Sequence, residues 1–267
     1  MKIGIIGGNG FVGSGIRRAL ERRHHCNVIT RDNYDALRTT RFDVVINANG
    51  NSKKFLAAQE PREEFLASVV SVQRSLLDFP ADLYVHCSSV DVYPDCSSPE
   101  TTREDARIDP ERLSLYGFHK YLAEQCVRRY APRWLILRFG GFVGPGLKKN
   151  PVYDILHGEP LRVSVDSAYQ YLPTVAAGEA LDALLTAGVR NELFNVCGEG
   201  CVPLRDIAAQ IPSYTVRYAA GTPRAERYEV AISKIAAYYK VPASAATVSA
   251  FLRSAGAASA SPPGTGR

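Results

Sequence analysis

A glycine-rich turn between an apolar strand and a helix constrains this chain more than any other feature in it. Ile3-Gly4-Ile5-Ile6 has the texture of a buried strand, and Gly7-Gly8-Asn9-Gly10-Phe11-Val12-Gly13 follows it and opens a helical stretch. The spacing satisfies GxGxxG from Gly8 and GxxGxxG from Gly7. Glycines so placed let the backbone turn tightly, approach a pyrophosphate and pack helix on strand. The unpaired N–H groups and positive end of the helix then meet the phosphate charge. A purely structural glycine turn is the competing reading; the flanking strand and helix favour a dinucleotide site.

The first half of the chain repeats this strand-then-helix rhythm. Strands are predicted at Lys2–Ile6, Asn27–Thr30, Asp43–Asn47, Leu83–Cys87 and Leu135–Arg138, with helices near Val12–Arg23, Pro61–Leu77 and Leu113–Tyr130. Such alternation predicts an α/β fold, a Rossmann-like doubly wound parallel sheet with ligands beyond the carboxyl ends of its strands. Residues 1–141 are the expected dinucleotide-binding domain, which also carries the catalytic helix. After Gly144-Pro145-Gly146 prolines break the pattern, and residues 142–253 are expected to form a smaller irregular substrate lobe, appended to the sheet or interleaved with it. Helices are predicted in it near Ala176–Ala187 and from Leu204. Residues 254–267, nearly all Ala, Ser, Gly and Pro, are expected to be a disordered tail.

A chain of 267 residues, 46% hydrophobic and 22% charged, can bury a full core. The net charge of +5 is spread without basic clusters, which gives no nucleic-acid footprint and suits anionic small molecules. Met1-Lys2 leads straight into the first strand without a signal-peptide pattern, and no window approaches the ~18 apolar residues of a membrane span. The six cysteines are scattered, and Cys197-x-x-x-Cys201 has no further ligands near it, so no metal site is expected. Reduced thiols in a cytoplasmic protein are the natural expectation.

Tyr116 and Lys120 stand four apart in a helical stretch and share a face one turn apart. Leu115, Phe118, Leu122 and Cys126 read as a neighbouring core stripe, which would leave the pair facing a ligand. An ammonium beside a phenol favours the phenolate and moves its pKa of about 10 towards the working pH, as general acid–base chemistry needs. Earlier, Ser88 and Ser89 end a predicted strand, where a hydroxyl can donate to a developing alkoxide; Ser88 reads better as a turn former. The second strand ends in Thr30-Arg31-Asp32. An acid there reads the 2′-hydroxyl of NAD and an arginine the 2′-phosphate of NADP. Arg31 is nearer the strand end, which tilts the reading to NADP; Asp32 is free to cap the next segment, and two solvated loop charges are the bland alternative.

Together the glycine turn, Ser88-Ser89-x-x-Val92-Tyr93, Tyr116-x-x-x-Lys120, Leu137-Arg138 through Gly144-Pro145-Gly146, and Phe194-Asn195-Val196-Cys197-Gly198 resemble the extended short-chain dehydrogenase/reductases, the NAD-dependent epimerase/dehydratase group that modifies nucleotide sugars. The resemblance covers residues 2–253. It implies an NAD(P)-dependent enzyme that passes a hydride between a sugar ring carbon and the nicotinamide. Ser89 takes the place of the catalytic hydroxyl, Tyr116 of the acid–base, and Lys120 of the residue that binds nicotinamide ribose and lowers the tyrosine pKa. Gly7, Gly10, Phe11, Val12 and Gly13, Arg31 or Asp32, and Asn47-Ala48-Asn49 are implied at the cofactor, with Asn47–Asn49 in the loop after a fourth strand. Ser89, Tyr116 and Arg138 are implied at the nucleotide-sugar substrate, and a homodimer through the helices flanking Tyr116 is common among such proteins.

The departures bear on the reaction. Family 4,6-dehydratases resemble Thr-Asp-Glu where this chain has Ser89-Val90-Asp91, so the acid that would protonate the leaving hydroxyl is missing at Val90. Asp91 serves as a base or caps the following turn. Tyr169-Gln170-Tyr171-Leu172-Pro173-Thr174 is closer to the segment of 4-ketosugar reductases than to that of epimerases. An NDP-4-ketohexose reductase is therefore the first expectation, a 4-epimerase or dehydratase the second, and a non-catalytic cofactor sensor the alternative from another class.

Overall fold

The computed structural model of the chain describes residues 1–50, 54–221 and 223–260. In chain order the elements are β1 (Lys2–Ile6), α1 (Phe11–Leu20), β2 (His25–Ile29), α2 (Tyr34–Leu37), β3 (Phe42–Asn47), α3 (Lys54–Gln59), α4 (Pro61–Phe65), a π-helical turn (Leu66–Val70), α5 (Ser71–Asp78), β4 (Ala81–Ser89), α6 (Leu115–Tyr130), β5 (Trp134–Phe139), β6 (Gly141–Val143), α7 (Pro151–Leu156), β7 (Ala168–Tyr169), β8 (Tyr171–Pro173), α8 (Thr174–Thr186), β9 (Glu192–Val196), β10 (Val202–Pro203), α9 (Leu204–Ala208), β11 (Arg227–Tyr228), α10 (Ser233–Ala236) and α11 (Ser244–Ala260).

Six strands form one parallel sheet in the order β2-β1-β3-β4-β5-β9. The chain begins at β1, steps out to β2 and returns across β1 to β3, so the direction of winding reverses between β1 and β3. The crevice above those two carboxyl ends is where such sheets bind ligands. The strands read as near-continuous apolar runs because both faces are covered. Ile3, Ile5, Val44, Ile46, Leu83, Val85, Leu135 and Leu137 pack with α1 and α8 on one face, while Val45, Tyr84 and Ile136 pack against α5 and α6 on the other. Each such aliphatic side chain contributes about 1.5–3 kcal/mol by leaving water. Between α1 and α8 the contact is almost backbone to backbone: a β-carbon on Gly178 would lie 2.8 Å from Ile16 Cα, and one on Gly15 2.5 Å from the Thr174 carbonyl. This packing pins the body of α1 against α8.

Within residues 142–253, α8 and β9 return to the main fold, β9 as its sixth strand, so the smaller part is interleaved with the sheet. The structure departs from the sequence reading in three places. Ser254–Ala260 continue α11, as an alanine-rich stretch with the highest helix propensity can; the disordered tail expected from Ser254 does not hold there, and 261–267 lie outside the described residues. Only α2 separates β2 from β3, which makes β2 an edge strand and puts Asn47–Asn49 after the third strand instead of a fourth. On α6 the buried residues are Tyr116, Gly117, His119, Lys120, Ala123, Glu124 and Val127, while Leu115 is exposed and Phe118, Leu122 and Cys126 are half-buried. The helix buries its chemistry and turns its apolar stripe outward.

Candidate active site

The crevice above β1 and β3 is a cleft of about 1160 Å³ lined by Gly7–Gly10, Arg31, Asp32, Asn49 and Gly50 and, across from them, Glu60, Glu63, Glu64 and Arg74. Its floor fits a dinucleotide. Gly7 has φ +77°, and a β-carbon there would sit 2.8 Å from the Asn49 nitrogen; one on Gly13 would come 2.2 Å from the Gly7 carbonyl oxygen. Gly10 is the N-cap of α1 and offers no side-chain acceptor, which leaves the first N–H groups of the helix suited to an anion. At the rim Arg31 and Asp32 are both exposed, and Asp32 does not cap the next helix: Asn33 stands at the N-cap of α2 and turns its Oδ1 back to accept from the Thr30 N–H at 2.7 Å.

Behind Gly50, where an added β-carbon would lie 2.9 Å from the Lys120 ammonium, stand Tyr116 and Lys120, both buried, with that ammonium 5.4 Å from the centre of the Tyr116 ring. Ser89, at the end of β4, donates its hydroxyl to Asp91 Oδ2 at 2.8 Å, and its oxygen accepts the Asp91 N–H at 3.2 Å. Asp91 is thus both the turn residue and a neighbour of the phenol. Its other oxygen meets the Lys54 ammonium at 2.6 Å and accepts from the Tyr228 hydroxyl at 3.1 Å. Lys54 from α3 also lies 4.9 Å from the centre of the Tyr228 ring, and β11 is the element that brings Tyr228 to the site.

Electrostatics here differ from the expectation. Burial, aided by the Asp91 carboxylate, pushes the Tyr116 phenol above its ordinary value; Lys54 and the Ser89 hydroxyl pull the other way. The cation acting on the phenol is Lys54, whereas burial pulls the Lys120 ammonium down against the charges of Glu64, Cys87 and Asp91. Burial also acts to lower Lys54, but the Asp91 carboxylate outweighs it and holds the ammonium above its usual range.

Several expected contacts are corrected. Arg138 is committed inside the fold: its Nε and Nη2 donate to the Glu124 carboxylate at 2.9 and 2.7 Å, and its guanidinium lies 4.7 Å from the Tyr93 ring centre, so it holds β5 to α6 and does not face a substrate. Ser88 joins the same network through a 2.6 Å bond to Glu124 and is not a turn former. The buried Asn47 amide donates to Ser75 Oγ and the Tyr84 hydroxyl and accepts from the Asn49 N–H at 3.0 Å, so it shapes the loop that Asn49 and Gly50 present. Ala48 packs beneath Gly7, and Phe11 and Val12 pack onto the core at the start of α1.

A family model matches residues 3–197, and its description is the NAD dependent epimerase/dehydratase family. The chain belongs to this family. It is accordingly an NAD(P)-dependent enzyme of the epimerase/dehydratase kind, on a Rossmann-like α/β fold. No curated protein sequence matches it significantly. Among solved structures it is similar to UDP-glucuronic acid 4-epimerase from Bacillus cereus, with 19% identity, TM-score 0.77 and 95% of this chain covered against 98% of that one. It is also similar to a UDP-galactose 4-epimerase (22% identity, TM-score 0.76, 97% and 99% covered) and to dTDP-4-dehydrorhamnose reductase from Bacillus anthracis in complex with NADP (15%, 0.75, 95% and 99%).

In this epimerase/dehydratase member the residues that sequence reasoning missed are Lys54, Glu64, Arg74 and Tyr228. Lys54 follows closely on Asn49, which marks it as near the cofactor loop, but nothing in its spacing signals Asp91. Arg74 sits on α5 with its guanidinium 4.9 Å from the Tyr34 ring centre, a contact between residues forty positions apart that only the fold creates. Among the described residues no helix is long and apolar enough to cross a membrane.

Proposed function

We propose that the protein is an NAD(P)H-dependent reductase of a nucleotide-linked 4-ketohexose, with NADP(H) preferred over NAD(H). The observation that carries this reading is the clasp on Asp91. Its carboxylate is occupied by Ser89, Lys54 and Tyr228, and Val90 stands where a dehydratase would carry its acid, so neither position offers a free acid to expel a hydroxyl group. What remains is a buried phenol held in its protonated form, suited to donating a proton to a carbonyl oxygen. When bound, the nicotinamide supplies the hydride. Tyr116 supplies the proton, the Ser89 hydroxyl turns from Asp91 to orient the carbonyl, and the Lys54 ammonium stabilises the phenolate left behind, with Lys120 5.4 Å from the ring centre. Arg31 at the rim, with Arg74 across the cleft, supports recognition of a 2′-phosphate. Exposed Leu66, Val70, Leu77 and Leu115 support a homodimer built on α5 and α6.

Cofactor accounting tests the reading. The purified protein is offered NADPH or NADH with UDP-, dTDP- and GDP-linked 4-ketohexoses, and one reduced cofactor should be consumed per alcohol formed. Sugar turnover without net consumption would make it an epimerase, and no turnover with any sugar would favour a cofactor sensor.

A further inference from the structure

Glu124 stands on α6 two turns beyond Tyr116 and one beyond Lys120, an i, i+4, i+8 series that puts all three on one face of the helix. It is 0% exposed, and two strands hold its carboxylate at once. Oε1 accepts the Ser88 hydroxyl at 2.6 Å and the Arg138 Nε–H at 2.9 Å, while Oε2 accepts from Arg138 Nη2 at 2.7 Å. Ser88 and Arg138 are direct partners across the parallel pair β4–β5, so one side chain of the helix reads a single register position of the sheet. A bidentate guanidinium–carboxylate pair is directional and fixes angle as well as distance, which apolar packing does not. The start of α6 is fixed separately. A β-carbon on Gly117 would lie 2.1 Å from the Asp91 carbonyl oxygen, so the first turn of the helix rests on the backbone just past Ser89. One point of contact leaves a helix free to tilt and roll about it; a second, about 10 Å further along the axis, removes that freedom.

Stability alone does not call for this arrangement. Burying an ion pair is costly, and apolar residues of similar volume often hold a helix to a sheet equally well or better. What the pair adds is a fixed placement. The helix so placed carries the Tyr116 phenol, and the strand it grips ends in Ser89, whose hydroxyl acts on that phenol. We propose that Glu124 is a positioning residue of the reaction: clamped to Ser88 and Arg138, it sets the separation of the Tyr116 and Ser89 hydroxyls so that both reach one oxygen of the sugar. The clamp rests on the roles proposed above for Tyr116 and Ser89, and it serves a reduction and an epimerisation alike. A misplacement of about 1 Å between such groups costs about 10²-fold in rate.

Removing Glu124 alone would strand the Arg138 cation, whose Nη1 has no hydrogen-bond partner and whose guanidinium otherwise meets the Tyr93 ring at 4.7 Å, so the test removes both charges together. In the paired variant Glu124→Met with Arg138→Met, melting temperature and NADPH affinity, read by fluorescence, should stay near those of the wild type. On the nucleotide sugar that the wild type converts in the panel above, kcat should fall by about tenfold or more with KM within a few-fold. Ser88→Ala frees the strand from the carboxylate but keeps the ion pair, and should lower kcat by about fivefold. Ser88→Thr, which keeps the hydroxyl, should restore it. Unchanged kcat in the paired variant and in Ser88→Ala would reduce the clamp to packing, and so would a kcat that falls only in step with melting temperature and NADPH affinity. If the paired variant does not fold, the two Ser88 variants decide, and equal rates overturn the proposal. Tyr116→Phe is measured beside them. Undiminished turnover there, or a wild type that converts no sugar, would defeat the proposed chemistry and the clamp with it, a failure distinct from any result at Glu124.

Discussion

The Lys54 ammonium lies 2.6 Å from the Asp91 carboxylate, and the two charges bear on the Tyr116 phenol with opposite sign. Removing the cation, as in Lys54→Met, leaves Asp91 unopposed and pushes the phenol further up. In the reductive direction the protonated phenol is the active form, so the basic limb of the kcat profile should move to higher pH by about one unit. Asp91→Asn should move it down. Tyr116→Phe should erase that limb and lose at least about 10²-fold in turnover with cofactor affinity kept. Superimposable profiles for Lys54→Met and wild type would disconnect the ion pair from the acid.

The two inner glycines of the turn should fail differently. A β-carbon on Gly10 would meet only the Gly7 carbonyl oxygen, at 3.1 Å, whereas one on Gly13 would collide with it at 2.2 Å. Gly10→Val should therefore stay folded and lose dinucleotide binding, because the added atoms enter pyrophosphate space. Gly13→Ala should lose both binding and thermal stability. Fluorescence titration beside a melting curve distinguishes the two, and normal affinity in Gly10→Val would make the turn merely structural.

Cofactor choice is expected to rest on Arg31. Arg31→Ala should weaken NADPH by about tenfold or more, the loss of one charge-assisted pair, while NADH changes little. Arg74→Ala should show the same bias in smaller measure, since Asp35 and Asp78 already hold that guanidinium. Equal loss of both cofactors in Arg31→Ala would hand the ribose to Asp32.

Acid stability is expected to depend on His86. Both of its ring nitrogens are buried without partners, and burial, with the charge of Lys120, pushes the imidazole down to about 3. The unfolded chain takes up this proton near pH 6.5, long before the folded one does. The contribution to stability is thus full above that pH and declines as pH falls towards 3, by about 1.4 kcal/mol per pH unit. Between pH 7 and 5 the wild type should lose about 2 kcal/mol from this group, and His86→Phe should flatten the slope. Urea unfolding at the two pH values measures it; parallel slopes would assign the acid sensitivity elsewhere.

What the sequence disclosed and what it hid follow from locality. The glycine turn, the five early strands and the Tyr116–Lys120 spacing are short-range patterns, and all were readable within a dozen residues. The stripe on α6 was misread because apolar periodicity identifies a buried face only when the core is apolar. Here that face carries Tyr116, His119, Lys120 and Glu124, satisfied by partners on other elements. For Arg138 the resemblance implied a place at the substrate, and only the fold reveals that Glu124 claims it. For Glu192–Val196 the strand lay in the half of the chain that reads as irregular pieces, so its membership in the main sheet depended on a crossover by α8 that no local signal announces.

The short return from β2 to β3 has one more consequence. Among the described residues no strand lies outside β2, so Arg31 and Asp32, the pair proposed to read the far end of the cofactor, stand exposed on an open margin of the sheet. Exchanging them leaves the packing untouched. On the cofactor reading proposed above, the choice between NAD(H) and NADP(H) would thereby be uncoupled from the architecture and open to revision by a single surface substitution.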